Sequence, residues 1–260
     1  MKTSPLIIGH RGAAALVPEN TMASFQAALI DHRAPMIEFD IHLSKDGVPI
    51  IIHDATLERT TNGKGYVSHY TAKELQAFDA GFWFDPQKNG TFPFRNKGLK
   101  IPTLEELLTT FPNHELSVEI KERSAATTRI TMTLIQKHKS ERRCIVGSKY
   151  SIVSNTMRES YPAVRRFISQ NEIVISYFDF KRGVTKPAKD PMAVASMPLE
   201  KCGLLFDHVD FIRFLHQKEM AVFYWTINDP EHMRNLADKK ADGIITDNPK
   251  LASEIIAPRP

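Results

Sequence analysis

The sequence predicts an α/β fold, a TIM-type (β/α)8 barrel, on three observations. Short β-branched runs alternate with helical segments about eight times, the pattern of a parallel sheet whose crossovers are helices. The length, 260 residues, suits one barrel of this kind, which typically runs to about 250 residues. The composition, 42% hydrophobic and 25% charged, supports a sizeable core and excludes a disordered chain. No low-complexity tract or repeat divides the chain, so residues 1–260 are expected to form a single barrel domain.

Nine segments read as strands: Leu6–His10, Met36–His42, Pro49–His53, Glu115–Ile120, Arg143–Gly147, Val164–Ile168, Met192–Ser196, Ala221–Thr226 and Asp242–Thr246. Helix-start signals fall between them. Asn20-Thr21 is expected to cap a helix running to His32, and Thr103-Leu-Glu-Glu106 has the form of a capping box. Asp229-Pro230 and Asn248-Pro249 each place a capping side chain before a first-turn proline.

The connection between the second and third strands is too short for a parallel crossover, which needs a dozen or more residues. It contains Asp46-Gly47, a hairpin signal. Pro49–His53 is therefore expected to return antiparallel, leaving eight parallel strands and bringing His53 opposite Glu38 and Asp40. After it comes an insertion, residues 60–100, holding eight of the chain's 23 aromatics. Loops of this length are functional or carry their own core. The insertion is expected to cap the active-site face, its aromatics either packing on one another or lining an apolar approach.

Net charge is +4, from 34 basic and 30 acidic residues. Basic pairs such as Arg142-Arg143, Arg165-Arg166 and Lys239-Lys240 are scattered, so no nucleic-acid partner is expected. A mild positive field suits an anionic phosphate or transient contact with a lipid surface. The longest apolar runs, such as Met220–Trp225, fall far short of the roughly 20 residues of a membrane span. The stretch Met1–Gly12 lacks the form of a secretory leader, which makes the cytoplasm the expected location. Two cysteines, Cys144 and Cys202, suggest neither a disulfide framework nor zinc. Nothing in the sequence specifies an oligomeric state.

Barrel active sites lie at the carboxyl ends of the strands. Those ends carry His10-Arg11, Glu38 and Asp40, His53 from the return strand, Glu119 and Lys121, and Trp225. Alternation puts Glu38 with Asp40 on one face, and Glu119 with Lys121 on another. Three carboxylates converging on one mouth repel each other. Either a divalent cation relieves this, with an all-oxygen donor set favouring Mg²⁺ or Ca²⁺, or Arg11 and Lys121 do so as ion pairs. Two imidazoles, His10 and His53, suit acid–base work near neutrality. The other eight histidines, His114, His138 and His232 among them, are assigned to surface helices and loops. Together the mouth residues describe a metal-assisted site for cleaving a phosphate ester.

The motifs around these residues resemble the glycerophosphodiester phosphodiesterase family: His10-Arg-Gly-Ala, Pro18-Glu-Asn-Thr21, Glu38-Phe-Asp-Ile-His-Leu-Ser-Lys-Asp-Gly47, Ile52-His-Asp54, Ile101-Pro-Thr-Leu-Glu-Glu106, Val118-Glu-Ile-Lys121, Trp225-Thr-Ile-Asn228 and Gly243-Ile-Ile-Thr-Asp247. The similarity runs from residue 6 to about 250. It implies a phosphodiesterase-type barrel with one divalent cation, Mg²⁺ or Ca²⁺, on Glu38, Asp40 and Glu119. It further implies His10 and His53 as the acid–base pair and Arg11 and Lys121 as phosphate-binding groups. Glu19 matches a further acid at the site, and Trp225 an aromatic beside the glycerol or leaving group. The implied reaction hydrolyses a small-molecule glycerophosphodiester to glycerol 3-phosphate and an alcohol, by way of a cyclic phosphate. The insertion resembles a longer-insert branch, which implies an alternative: lysophospholipase D activity, with the aromatic insertion holding the acyl chain.

Overall fold

The computed structural model describes residues 4–185 and 188–256. The first three residues of the amino-terminal stretch lie outside them.

Among the described residues eleven strands are present: β1 (Leu6–His10), β2 (Met36–Leu43), β3 (Pro49–Ile51), β4 (Glu115–Ile120), β5 (Cys144–Gly147), β6 (Arg165–Phe167), β7 (Ala193–Met197), β8 (Glu200–Lys201), β9 (Leu204–Leu205), β10 (Ala221–Tyr224) and β11 (Gly243–Thr246). The helices are α1 (Met22–Gln26), α2 (Ala72–Leu75), α3 (Leu104–Thr110), α4 (Ala125–Lys137), α5 (Ser151–Ser160), α6 (Gln170–Lys181), α7 (Val209–Gln217), α8 (Pro230–Asp238) and α9 (Pro249–Ile256). The sheet runs β1-β11-β10-β7-β6-β5-β4-β2, and the β1–β2 pairing closes it into an eight-stranded parallel barrel. β3 pairs antiparallel with β2, Ile41 opposite Ile51, so the hairpin returns as its Asp46-Gly47 turn requires. Gly47 sits at φ +76°, a conformation that favours glycine.

All nine sequence-predicted strands form, with ends shifted by at most two residues. The β8–β9 hairpin was not anticipated. Its two-residue turn, Cys202-Gly203, takes positive φ at both positions, the left-handed pair that matches strand twist, and Gly203 was its only sequence signal. The helix expected from Asn20-Thr21 to His32 also differs. Thr21 alone caps it, accepting from the Ser24 amide, and beyond Gln26 the chain widens into a π-turned segment, Ala27–Asp31. Asn20 turns its side chain to Asp40 instead.

The apolar layers follow from alternation. Ile8, Met36, Ile145, Phe167, Val194, Phe223 and Ile245 point inward and fill the barrel. Outside it, one apolar cluster joins residues 13–164 and another joins residues 168–256 to their helices. The return strand and the start of the insertion share a smaller core of Ile50, Ile52, Leu57, Val67, Leu75, Ala80 and Ile101. The inward rows that end in apolar side chains below continue at the carboxyl ends into charged ones, which places the site.

Candidate active site

The row Leu6, Ile8, His10 on β1 leads straight into the mouth. Beyond His10 the chain must turn sharply, and Arg11 (φ +51°) and Gly12 (φ +92°) make that turn. A Cβ on Gly12 would lie 2.4 Å from Ser24 Oγ, so only glycine fits. Ser24 Oγ holds the turn, accepting from the Ala13 amide and donating to the Arg11 carbonyl. The Arg11 amide is thereby aimed at Glu38, donating to Oε2 at 3.2 Å.

Glu38, Asp40 and Glu119 converge as alternation requires: each offers a carboxylate oxygen within 4.8 Å of the others. Asp40 is 1% exposed. It accepts from Asn20 Nδ2 at 2.8 Å and lies 3.4 Å from Arg11 Nε. Its Oδ1 meets the Lys121 ammonium at 3.0 Å without a well-directed hydrogen bond. Lys121 Nζ also donates to Glu119 Oε2 at 2.9 Å. Burial raises the Asp40 carboxyl, but Lys121 and Arg11 outweigh it and hold it below its ordinary range. Glu38 goes the other way. Burial, reinforced by Asp40, pushes it up to about 8. A buried acid carrying a proton for want of positive charge, beside two more carboxylates and no sulfur or imidazole donor, fits a hard divalent cation. Lys121 supplies part of the charge, so both expectations for the mouth, cation site and ion-pair network, have their residues in place.

The two histidines line one cavity with Glu38 and Glu119, each with its own carboxylate. His10 Nδ1 donates to Asp247 Oδ1 at 2.6 Å, leaving Nε2 toward the cavity, 4.0 Å from Glu38. His53 Nδ1 donates to Asp54 Oδ1 at 2.6 Å. A carboxylate on one ring nitrogen fixes the tautomer and orientation of the imidazole. Burial lowers His10, but the Asp247 hydrogen bond and nearby Glu38 outweigh it, and the balance is raised. Burial also lowers His53, and there the opposing pull of Asp40 does not suffice. The two imidazoles are therefore shifted in opposite directions from their ordinary value, His10 upward and His53 downward.

Glu19 accepts from Arg11 Nη1 at 2.8 Å and from both terminal nitrogens of Arg59, each at 2.8 Å; Arg59 Nε then donates to Asp54 at 2.6 Å. Arg59 thus ties the carboxylate behind His53 to the one behind Arg11. Trp225, 42% exposed, lines the same cavity as His10 and His53.

His10, Arg11, Glu38, His53, Glu119, Lys121 and Trp225 all line one cavity of about 400 Å³. Glu19 and Asp40 stand behind it. Four contributors had no role assigned from the sequence, although Asp54, Asn228 and Asp247 fall within its motifs. Asp247 shares the inward row of Gly243 and Ile245, so the alternation that exposed Glu38 and Asp40 applies to it equally. Asp54 follows His53 directly. Asn228 donates to Asp247 Oδ2 at 2.6 Å. Arg59 sits in an insertion loop with no periodic signal. His42, assigned to the surface, is buried in β2; its Nε2 lies 3.2 Å from the His53 carbonyl and steadies the return strand.

The aromatic insertion does not supply the cavity's apolar side. Phe82, Trp83 and Phe92 close around the Arg95 guanidinium, 4.2, 5.0 and 4.0 Å from its carbon to their ring centroids. Tyr70 packs on Phe78, and Phe84 on Phe94. Among the described residues none of the eight lines the cavity. Its apolar wall comes instead from residues 167–206.

A parallel barrel with paired imidazoles, converging carboxylates and cations at one mouth defines a hydrolase of phosphate esters. The family model for the glycerophosphoryl diester phosphodiesterase family matches residues 10–251, and the chain belongs to that family. It is a phosphoric diester hydrolase. A Bacillus subtilis glycerophosphodiester phosphodiesterase is 30% identical over 96% of this chain and 86% of its own length. The glycerophosphoryl diester phosphodiesterase domain of a Mycobacterium tuberculosis protein superposes with a TM-score of 0.84 at 21% identity, covering 96% of this chain and 98% of that one. An Oleispira antarctica phosphodiesterase, solved in complex with the product sn-glycerol-3-phosphate, superposes with a TM-score of 0.76 at 23% identity, covering 98% of each chain. Among the described residues no helix is long and apolar enough to cross a membrane.

Proposed function

We propose that the chain hydrolyses glycerophosphodiesters to glycerol 3-phosphate and an alcohol, using His10 and His53 as acid and base and a divalent cation on Glu38, Asp40 and Glu119. The observation that carries this is the shared cavity: two carboxylate-backed imidazoles open into it beside three converging carboxylates and two cations. The product seen in the Oleispira phosphodiesterase supports the same product here.

Arg11 and Lys121 receive the phosphate, Arg11 through its forked guanidinium and Lys121 as a point charge. Both are held by Asp40, so neither moves far as charge grows on the phosphoryl oxygens. One imidazole takes the proton of the attacking hydroxyl and the other gives a proton to the leaving alcohol; Asp247 and Asp54 keep each ring turned to its task. A bound cation would supply Lewis-acid polarisation of the phosphoryl oxygens. Trp225 stacks against the organic part of the diester.

The test is release of glycerol 3-phosphate from glycerophosphocholine and glycerophosphoethanolamine, with Mg²⁺, Ca²⁺ or EDTA. Turnover abolished by EDTA and restored by one of the ions is the expected result. Cation-independent turnover would remove the metal from the proposal, and no turnover of either diester would overturn the substrate class.

A further inference from the structure

Arg59 stands behind the reacting groups and holds two of them at once. Its guanidinium turns all three nitrogens to two carboxylates. Nη1 and Nη2 donate to the two oxygens of Glu19, each at 2.8 Å, and Nε donates to Asp54 Oδ2 at 2.6 Å. Each carboxylate also holds a group that faces the substrate: Glu19 Oε1 accepts from Arg11 Nη1 at 2.8 Å, and Asp54 Oδ1 from His53 Nδ1 at 2.6 Å. All four carboxylate oxygens thus have a partner. Arg11 and His53 line the cavity, whereas Glu19, Asp54 and Arg59 do not. The line Arg11–Glu19–Arg59–Asp54–His53 runs unbroken behind the wall, from a phosphate-binding group to an imidazole.

The insertion keeps Arg59 in reach. Leu57, fully buried, is rooted in the small core with Ile50, Ile52 and Val67. The Thr61 amide and hydroxyl both donate to the Leu57 carbonyl, at 3.1 and 2.7 Å, closing a turn with Arg59 at its centre. The Arg59 side chain itself is 46% exposed. Ion pairs at that exposure add little stability, so a brace for the fold is a poor account of this network. Orientation is a better one, because a planar guanidinium fork fixes the direction of the carboxylates it binds. Burial raises both Glu19 and Asp54, but the hydrogen bonds from Arg59 lead the effects that outweigh it, and Asp54 is held down to about 2. Both carboxylates therefore stay charged behind the groups they hold.

We propose that Arg59 is a positioning residue that couples the phosphate-binding group to the acid–base pair, fixing Arg11 through Glu19 and His53 through Asp54. This rests on the glycerophosphodiesterase reading above. It also gives the insertion a task, which is to deliver a guanidinium to the back of the site.

The experiment is a double-mutant cycle between Glu19→Gln and Asp54→Asn, run with Arg59 present and again in an Arg59→Ala background. Glu19 and Asp54 share no hydrogen bond, and Arg59 is the group that joins them. With Arg59 present, the loss of kcat/KM on glycerophosphocholine in the double variant falls short of the product of the single losses by about twofold or more. In the Arg59→Ala background the losses multiply. Arg59→Ala alone lowers kcat/KM by up to about 100-fold while its melting temperature shifts little. Methylguanidinium restores part of that activity, and methylammonium, a cation without the fork, does not. The same cycle read in calorimetric affinity for glycerol 3-phosphate needs no turnover. Hydrolysis with single losses that multiply whether or not Arg59 is present would overturn the coupling and leave the glycerophosphodiesterase reading standing. Coupling in glycerol 3-phosphate affinity without hydrolysis of any diester would do the reverse. Activity of Arg59→Ala that falls in step with its melting temperature, with no rescue by methylguanidinium, would make Arg59 a brace for the fold and overturn the proposal.

Discussion

At the proposed cation site, Glu38 makes binding a competition with a proton. Its carboxyl is buried beside Asp40, and these two effects push it up to about 8. Below that pH the cation must displace a proton before it gains the carboxylate. Apparent affinity for Mg²⁺ or Ca²⁺ should therefore rise by up to about tenfold per pH unit, or about 100-fold from pH 6 to pH 8, and level off above. Titration calorimetry in two buffers of different ionisation enthalpy measures both quantities, and at pH 6 it should report about one proton released per ion. Because Glu38 and Asp40 titrate as a pair, the proton belongs to the pair. The linked stability has a fixed sign. The folded-state pKa lies above the unfolded value, so this contribution is fully present below the ordinary glutamate pKa and is lost as pH rises through about 8. Metal-free protein should melt at progressively lower temperature from pH 5 to pH 8, and added cation should raise the melting temperature more at pH 8 than at pH 6. An affinity that stays flat from pH 6 to pH 8, with no proton release, would refute this account of the carboxylate cluster.

His10→Ala and His53→Ala should each lower kcat by about 10²–10⁴-fold with the far-ultraviolet dichroism unchanged; near-wild-type turnover in either removes that residue from the acid–base pair. Asp247→Asn should lower kcat with little change in KM and alter the pH profile, since it frees the ring of His10 rather than the phosphate; a loss confined to KM would contradict that role. Removing Asp40 with Asp40→Asn leaves Lys121 and Arg11 without their shared buried partner, and chemical denaturation should show a loss of about 3 kcal/mol or more. Gly12→Ala must place a methyl 2.4 Å from Ser24 Oγ at a positive φ, so both its melting temperature and its activity should fall well below those of Gly47→Ala, where nothing lies within 4 Å.

The parallel strands were legible because their interior rows are apolar and their boundaries carry prolines, glycines and caps; the return of β3 followed from one short connection with an Asp-Gly turn. The charged rows were legible for the same reason: Glu38, Asp40, Glu119 and Lys121 interrupt a period of two that would otherwise be buried. Contacts that depend on closure were not. His10 and Asp247 are 237 positions apart, and only the β1–β11 pairing puts them side by side. Composition left the insertion open to two readings, and its aromatics take the one in which they pack on one another. Its aromatics are abundant enough to line a cavity, but one guanidinium, Arg95, gathers three of them into a cluster of their own. The wall residues were silent because Ile173, Val174 and Leu204 look like any helix face or loop apolar until the barrel orients them.

The pairing of β1 with β11 also sets when the enzyme becomes active during its own synthesis. His10 precedes Asp247 by 237 positions, so it leaves the ribosome long before its carboxylate partner does. Until β11 emerges and docks beside β1, the His10 imidazole has no carboxylate to hold its orientation and the barrel has an open seam. A nascent chain, or one clipped before β11, therefore holds Glu38, Asp40, Glu119 and both imidazoles yet lacks an oriented pair, and the proposed hydrolysis waits for β11 to dock.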